Sequence, residues 1–469
     1  MFFLKLLVNY LIVAVFFIPE FIYRCFGNVD FYQLTFFLFT ENGTLGTDFY
    51  VLRTFFLWVV LRPAIIVLVS YVIYRFLIYP KFRSAKLIQY YKLILPIMLF
   101  IGIGYNFISY GGHLFAKRLV GEDLMPSYFA ALPNTTSDSK SKNNLILLYI
   151  ESLENTFSNE DVFGRNLNSP LDSKLGISPY KIKQAPGTGW TTAGMIASQC
   201  GMPLASFMGN NLRSRAAPIF GNLSCIGDIL EMNNYKQAFF VGPDLKFSGM
   251  DKFYLNHGFS EAYGKNEIFK SLHKNEFRTG WGGGVNDDIL LEIAYEHIKS
   301  DLEKQNYFNV TIATTDNHAP DGILSPRCQT ENLTTQLAEV VLCTNKSVAK
   351  FIDKLKALDV FENTVLVVMG DHKFMGELGT EERSVYFNYF GSNTKELKPT
   401  IFELTHFDVF PTLLQLTLGV ETNRAHLGHN IFAKDLSRYK ELQEYIFGDS
   451  FLIFSEFYRS FWGKKVLSD

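Results

Sequence analysis

The sequence predicts an α/β protein: N-terminal transmembrane helices followed by a domain built on a mainly parallel central sheet. Three observations lead there. Most of the continuous hydrophobic runs of this 469-residue chain fall in its first 112 residues. After residue 143, short apolar runs alternate with helix-like stretches, the pattern of a parallel sheet covered on both faces. Two of these runs, Asn144 to Ile150 and Thr364 to Gly370, end directly in Glu151 and in the pair Asp371-His372. Strands that release carboxylates and an imidazole at one edge of a sheet are how an α/β enzyme presents metal ligands.

In the membrane part, three segments approach the roughly 20 apolar residues that a spanning helix needs. They run from about Phe2 to Ile22, Phe55 to Ile78 and Leu93 to Phe115. The run Phe31 to Phe39 is too short to span and fits the interface. A cleavable signal peptide is the rival reading of the first segment, but no small-x-small site follows it. Lys81, Arg83, Lys86 and Lys92, with Arg75 before them, crowd the connection after the second segment. The connection before it has Arg24 and Arg53 against Asp30, Glu41 and Asp48. The positive-inside tendency places the Lys81 loop in the cytoplasm and everything after about residue 113 outside. Arg62, before Pro63 in the second segment, is either a contact for a lipid phosphate or a side chain snorkelling to the headgroups.

The expected organisation is a membrane domain over 1–112, a juxtamembrane helix and polar linker over 113–142, and an extracytoplasmic catalytic domain over 143–469. A formal net charge of −2 gives no case for nucleic acid, which would need a basic surface. Within the catalytic domain the strand candidates are Leu145–Ile150, Ala238–Val241, Val310–Thr315 and Val365–Met369. Helices are expected over Asp287–Ile298, over Leu337–Leu358 and from Thr191 onward. Cys200, Cys225, Cys328 and Cys343 lie in this domain. An even number in an exported domain suggests two disulfides, most simply Cys200–Cys225 and Cys328–Cys343, although four cysteines allow three pairings.

A third feature joins the two strand ends. Pro186-Gly187-Thr188-Gly189-Trp190 leads into Thr191 at the head of an expected helix. A threonine hydroxyl on a metal is a competent nucleophile, and a helix start offers backbone N–H groups to a phosphate. Each feature also has a plainer role open to it: Thr191 or Thr192 as a cap, Glu151 paired with a lysine, Asp371-His372 as a hydrogen-bonded turn. Three such features in one domain favour a metal-assisted site.

Tyr149-Ile150-Glu151-Ser152-Leu153-Glu154, the stretch from Pro186 to Gly201 and Gly370-Asp371-His372 resemble the phosphoglycerol transferases of periplasmic glucans. These belong with the lipoteichoic acid synthases in the alkaline phosphatase/sulfatase superfamily, so the resemblance implies an alkaline phosphatase/sulfatase-like domain. It also implies one divalent metal, Mn²⁺ first with Mg²⁺ or Zn²⁺ as alternatives, held by Glu151, Thr191, Asp371 and His372. Thr191 would attack the headgroup phosphate of a phospholipid donor, releasing diacylglycerol, and pass the phospho-alcohol to a glycan acceptor. His318 matches a histidine that contacts phosphate or moves a proton, and Asp316 is a weaker candidate beside it. Arg278 and Trp281 resemble a headgroup pocket segment. Lipoteichoic acid synthases carry an Asn-Arg-Asp run where this chain has Gly249-Met250-Asp251, and Lys246 is the basic residue slightly earlier. The expected function is phosphoglycerol transfer from phosphatidylglycerol at the periplasmic side of a bacterial inner membrane. The alternative is phosphoethanolamine transfer to lipooligosaccharide or another surface glycan, with a sulfatase-fold hydrolase behind both.

Overall fold

A computed structural model of the protein describes residues 2–27, 29, 32–33, 49–73, 75–76, 85–110, 121–135, 142–176, 180–205, 218–272, 279–304, 306–391, 394, 397–453 and 455–462. The part after residue 142 is organised around eight strands: β1 Asn144–Ile150, β2 Tyr180–Ile182, β3 Lys236–Val241, β4 Glu261–Tyr263, β5 Phe308–Ala313, β6 Thr364–Gly370, β7 Val385–Phe390 and β8 Glu403–Leu404. Their order across the sheet is β4-β3-β5-β1-β6-β7-β2-β8. The five strands from β4 to β6 are parallel, and β7 runs against both β6 and β2. Every residue of β1, β5 and β6 is buried. Central parallel strands are covered on both faces, which is why they read as unbroken apolar runs.

The four expected strands are present, each shifted by up to two residues. Those the sequence left unnamed, β2, β4 and β8, are two or three residues long; β7 is the antiparallel neighbour of β6. The expected helices appear as Thr191–Cys200, Asp287–Glu303 and Gln336–Lys356. Of the three cysteine pairings, Cys200–Cys225 and Cys328–Cys343 form. The first ties the end of the Thr191 helix to the cap of the next one; the second ties the loop after β5 to the Gln336–Lys356 helix.

In the N-terminal part, two helices among the described residues are long and apolar enough to cross a membrane, over Leu6–Cys25 and Leu52–Ile73. The third expected span corresponds to the helix Ala85–Ser109, whose apolar stretch is Pro96–Ser109. It lies along the first helix, where the Asn106 amide donates to Val15 O at 2.8 Å. Most of the Phe31–Phe39 run and the Lys81 loop lie outside the described residues.

The expected juxtamembrane helix is reduced, among the described residues, to the single turn Met125–Tyr128. Its rings explain the difference. Tyr128 stacks on Tyr445 at 4.2 Å, and Phe129 packs on His426 and Phe461. Ala130 and His426 then exchange backbone hydrogen bonds. Side chains that would have faced a membrane surface are drawn into the catalytic domain.

Candidate active site

β5, β1 and β6 are neighbours, and all three deliver functional side chains at their carboxyl ends. Glu151 follows β1, the Thr314–His318 turn follows β5, and Asp371 and His372 follow β6. Backbone bonds lock the three ends together. Thr314 Oγ1 accepts from Glu151 N at 3.1 Å, and Asp371 Oδ1 accepts from Ser152 N at 2.7 Å. The parallel register alone therefore gathers residues more than 200 positions apart in the chain.

Thr191 opens a ten-residue helix whose preceding residue, Trp190, supplies no side-chain cap. The N–H groups of its first turn are thus left for a ligand. The Thr191 hydroxyl donates to Glu151 Oε2 at 3.2 Å and lies 3.5 Å from His372 Nε2. His372 Nε2 is in turn 3.4 Å from both Glu151 Oε1 and Asp371 Oδ2. The four side chains are all but inaccessible to solvent.

The cluster fits a divalent cation. Glu151, Asp371 and His372 each offer a ligand atom within 4.8 Å of the others. Asp371 Oδ2 is buried and accepts no hydrogen bond from the described residues. His372 Nδ1 is held at 2.7 Å from Lys373 O, the hydrogen bond that turns the Nε2 lone pair toward the cluster. The charges agree with the geometry. Burial and the neighbouring Glu151 push Asp371 up to about 7. Burial works against a charged His372, but Asp371 and Glu151 outweigh it and lift the ring to about 9. Burial also acts to raise Glu151, yet His372 draws it down to about 2. Two carboxylates buried this close call for a positive partner.

His318 sits partly buried at the rim, with Nδ1 2.9 Å from Ala319 O and its ring 4.3 Å from that of Trp281. Burial lowers its pKa, against the pull of Glu151. Trp281 meets Phe247 edge-on at 4.8 Å, and Phe247 directly follows the exposed Lys246. Phe247, Trp281 and His318 thus form one run of contacting rings, and Lys246 lies next in sequence to Phe247. Arg278 lies outside the described residues. Asp316 is engaged elsewhere: its oxygens accept from the Asn286 amide and from Asp287 N, while Asp287 accepts from Thr315 N and Asp316 N. It fixes the turn that carries His318 onto the start of the Asp287–Glu303 helix.

Sequence reading missed the supports behind the ligands. His406 Nε2 donates to Asp371 O at 2.8 Å, from a ring that burial keeps neutral with a pKa near 4. Glu154 and Arg383 pair in the interior, and together they bond Phe374 N, Phe374 O and Gly376 O just after His372. Asn317 buries an amide whose two polar atoms have no partner among the described residues. A Thr-x-x-Asp capping pattern at Thr405 was the signal available for His406, since it marks the helix that this histidine begins.

A protein-family profile described as Sulfatase matches residues 143–420. The chain belongs to the sulfatase family. Within it, phosphoglycerol transferase I of Citrobacter koseri is 33% identical over 262 residues, covering 54% of this chain and 34% of that protein. Phosphoglycerol transferase I of Salmonella paratyphi B is 35% identical over 241 residues, covering 50% and 31%. The chain therefore spans about a third of the length of these curated relatives. The resemblance read from the sequence is borne out by them. In fold, the chain is similar to lipooligosaccharide phosphoethanolamine transferase A from Neisseria meningitidis. That likeness has a TM-score of 0.50 at 16% identity, over 88% of this chain and 83% of the other.

Proposed function

We propose that this protein transfers phosphoglycerol from a phosphatidylglycerol donor to a sugar hydroxyl outside the cytoplasm, through a covalent phosphoglyceryl-threonine at Thr191. The observation that carries this reading is the Thr191 hydroxyl, 3.2 Å from Glu151 and 3.5 Å from His372 Nε2 at an uncapped helix start. A free threonine hydroxyl is a poor nucleophile. Glu151, Asp371, His372 and Thr191 would together hold one Mn²⁺, Mg²⁺ or Zn²⁺, a donor set of oxygens with one imidazole. A cation bound there lowers the pKa of the hydroxyl and offsets phosphoryl charge.

In the first half-reaction Thr191 Oγ1 bonds to phosphorus as the bond from phosphorus to the diacylglycerol oxygen breaks. The hydroxyl proton ends on the released diacylglycerol. In the second half a sugar hydroxyl forms the new bond to phosphorus, the bond to Oγ1 breaks, and the sugar's proton returns to Thr191. The N–H groups of Thr191 to Ala193 hold phosphoryl oxygens in both halves. His318, with Nδ1 committed to Ala319, keeps Nε2 for the proton in transit. Trp281 and Lys246 face the headgroup, and Arg278 is proposed beside them. The apolar helices anchor the domain to the bacterial inner membrane with its site on the periplasmic side, which holds the nucleophile near the donor. The similarity to phosphoglycerol transferase I favours glycerol over ethanolamine as the headgroup.

The test is mass spectrometry of the Thr191 peptide after incubation of the full chain with Mn²⁺ and either phosphatidylglycerol or phosphatidylethanolamine. A phosphoglycerol adduct, absent in Thr191→Ala, is the expected result. An ethanolamine adduct would reassign the donor. No adduct from either lipid in metal-loaded protein would overturn the covalent route.

A further inference from the structure

The second apolar helix is irregular where it carries Arg62. Residues Phe56–Leu61 are wound as π-helix, and Arg62 N bonds back to Leu57 O. Pro63 has no N–H, so the Val59 carbonyl loses its usual helical partner. The Tyr10 hydroxyl of the first helix fills the gap, donating to Val59 O at 3.1 Å. Such a widened turn is uncommon and is found most often at functional sites.

Two guanidiniums converge beside that turn. Arg62 lies 3.3 Å from the centroid of the Trp58 ring, and Arg24, from the end of the first helix, lies 4.0 Å from the same ring. Glu20 pairs with Arg24 at 2.6 Å, and no carboxylate pairs with Arg62 among the described residues. A single snorkelling arginine would need no partner at its tip. Glu20 offsets Arg24, while Arg62 on the same indole has no carboxylate to offset it among the described residues, and an anion between the two guanidiniums would supply that.

The position of this cluster is informative. Three residues after Arg24, the backbone of Gly27 meets that of Met375 so closely that a Cβ on Gly27 would lie 2.3 Å from Met375 Cβ. Met375 is three residues beyond His372. Arg24 therefore stands at the end of the first helix that touches the active-site loop, and the Arg62 guanidinium, from midway along the second, reaches the same Trp58 ring.

We infer that Arg24, Trp58 and Arg62 form a binding site for the headgroup phosphate of an anionic glycerophospholipid, held ready beside the catalytic loop. The inference deepens the proposed reaction and rests on it for the identity of the lipid. Arginine suits the role because its planar donors grip a phosphate diester, and Trp58 fixes their orientation.

The experiment is native mass spectrometry of the full-length protein in detergent, titrated with phosphatidylglycerol or phosphatidylcholine. Wild type and Thr191→Ala are expected to retain phosphatidylglycerol at least tenfold better than phosphatidylcholine. The Arg24→Gln/Arg62→Gln double variant is expected to lose that preference, the Lys/Lys double variant to keep part of it, and Trp58→Phe to fall between. Because the Lys/Lys and Trp58→Phe variants retain charge or bulk, they separate loss of the site from misfolding. Equal retention by the Gln/Gln variant and wild type would overturn the site while leaving the reaction intact. Displacement of the lipid by equimolar glycerol 3-phosphate would overturn the assignment to a lipid. Preferential retention by wild type that forms no Thr191 adduct when loaded with Mn²⁺ would uphold the site and overturn the reaction.

Discussion

Gly194 lies against the main-chain oxygen of Asp371, where a Cβ would come within 1.8 Å of it. A glycine inside a helix ordinarily costs about 1 kcal/mol relative to alanine. Here it lets the Thr191 helix close on the end of β6, and so sets the distance from Thr191 to Asp371 and His372. Gly194→Ala should lower stability by about 1–3 kcal/mol through overpacking. By displacing Asp371 it should also weaken metal binding roughly 10–100-fold. Thermal melting and metal titration of the same variant would read both effects.

Arg383 and the buried Glu154 hold the loop that follows His372. Arg383→Ala leaves Glu154 charged, buried and unpaired, and should cost about 3–5 kcal/mol. Adding Glu154→Gln should recover much of the loss in denaturant melts. Failure to recover would mean that the bonds to Phe374 and Gly376 matter more than the charge pair.

Cation removal should expose the strain of the ligand set. Chelation is expected to lower the melting temperature, and adding Mn²⁺ at a hundredfold excess over its Kd should restore about 2.7 kcal/mol. Asp371→Asn should abolish that response yet leave the metal-free protein at least as stable as wild type. The amide can still accept from Ser152 and His372 while removing one of two crowded carboxylates.

Acid should loosen the seam where the segment before β1 meets the catalytic domain. His426 is buried, with Nδ1 2.6 Å from Cys200 O, and burial lowers its pKa to about 4. Its unfolded value is about 6.5, so the unfolded state binds the extra proton first. The stability linked to His426 is fully present above pH 6.5 and is lost as pH falls through 4, about 3 kcal/mol in all. His426→Asn suits the residue's positive φ of 51° and should flatten this limb of the pH–stability curve.

The central strands were legible because burial on both faces leaves β1 and β6 as uninterrupted apolar runs. Glu151, Asp371 and His372 were legible for the same reason, since each stands where such a run stops. Short strands such as β4 carry no periodicity of their own, and β7 departs from its neighbours only in direction. Asp316 looked like a site residue by position, yet its place was decided by Asn286 and Asp287, thirty residues away in sequence. The Met125–Tyr128 turn was hidden because its partner rings, Tyr445 and Phe461, come from the far end of the chain. No local pattern records a contact of that kind.

The mutual backbone bonds between Ala130 and His426 have a mechanical consequence. They fasten the incoming chain to the domain instead of leaving it on a slack tether. With the apolar helices in a bilayer and Gly27 against Met375, the site would, under the proposed reaction, work at one fixed height and could not swing outward to search for an acceptor. A long glycan would have to descend to the enzyme, so only hydroxyls able to approach the lipid surface would receive the group. The pattern of substitution along the polymer would then be set by how far the polymer bends, more than by which sugars it contains.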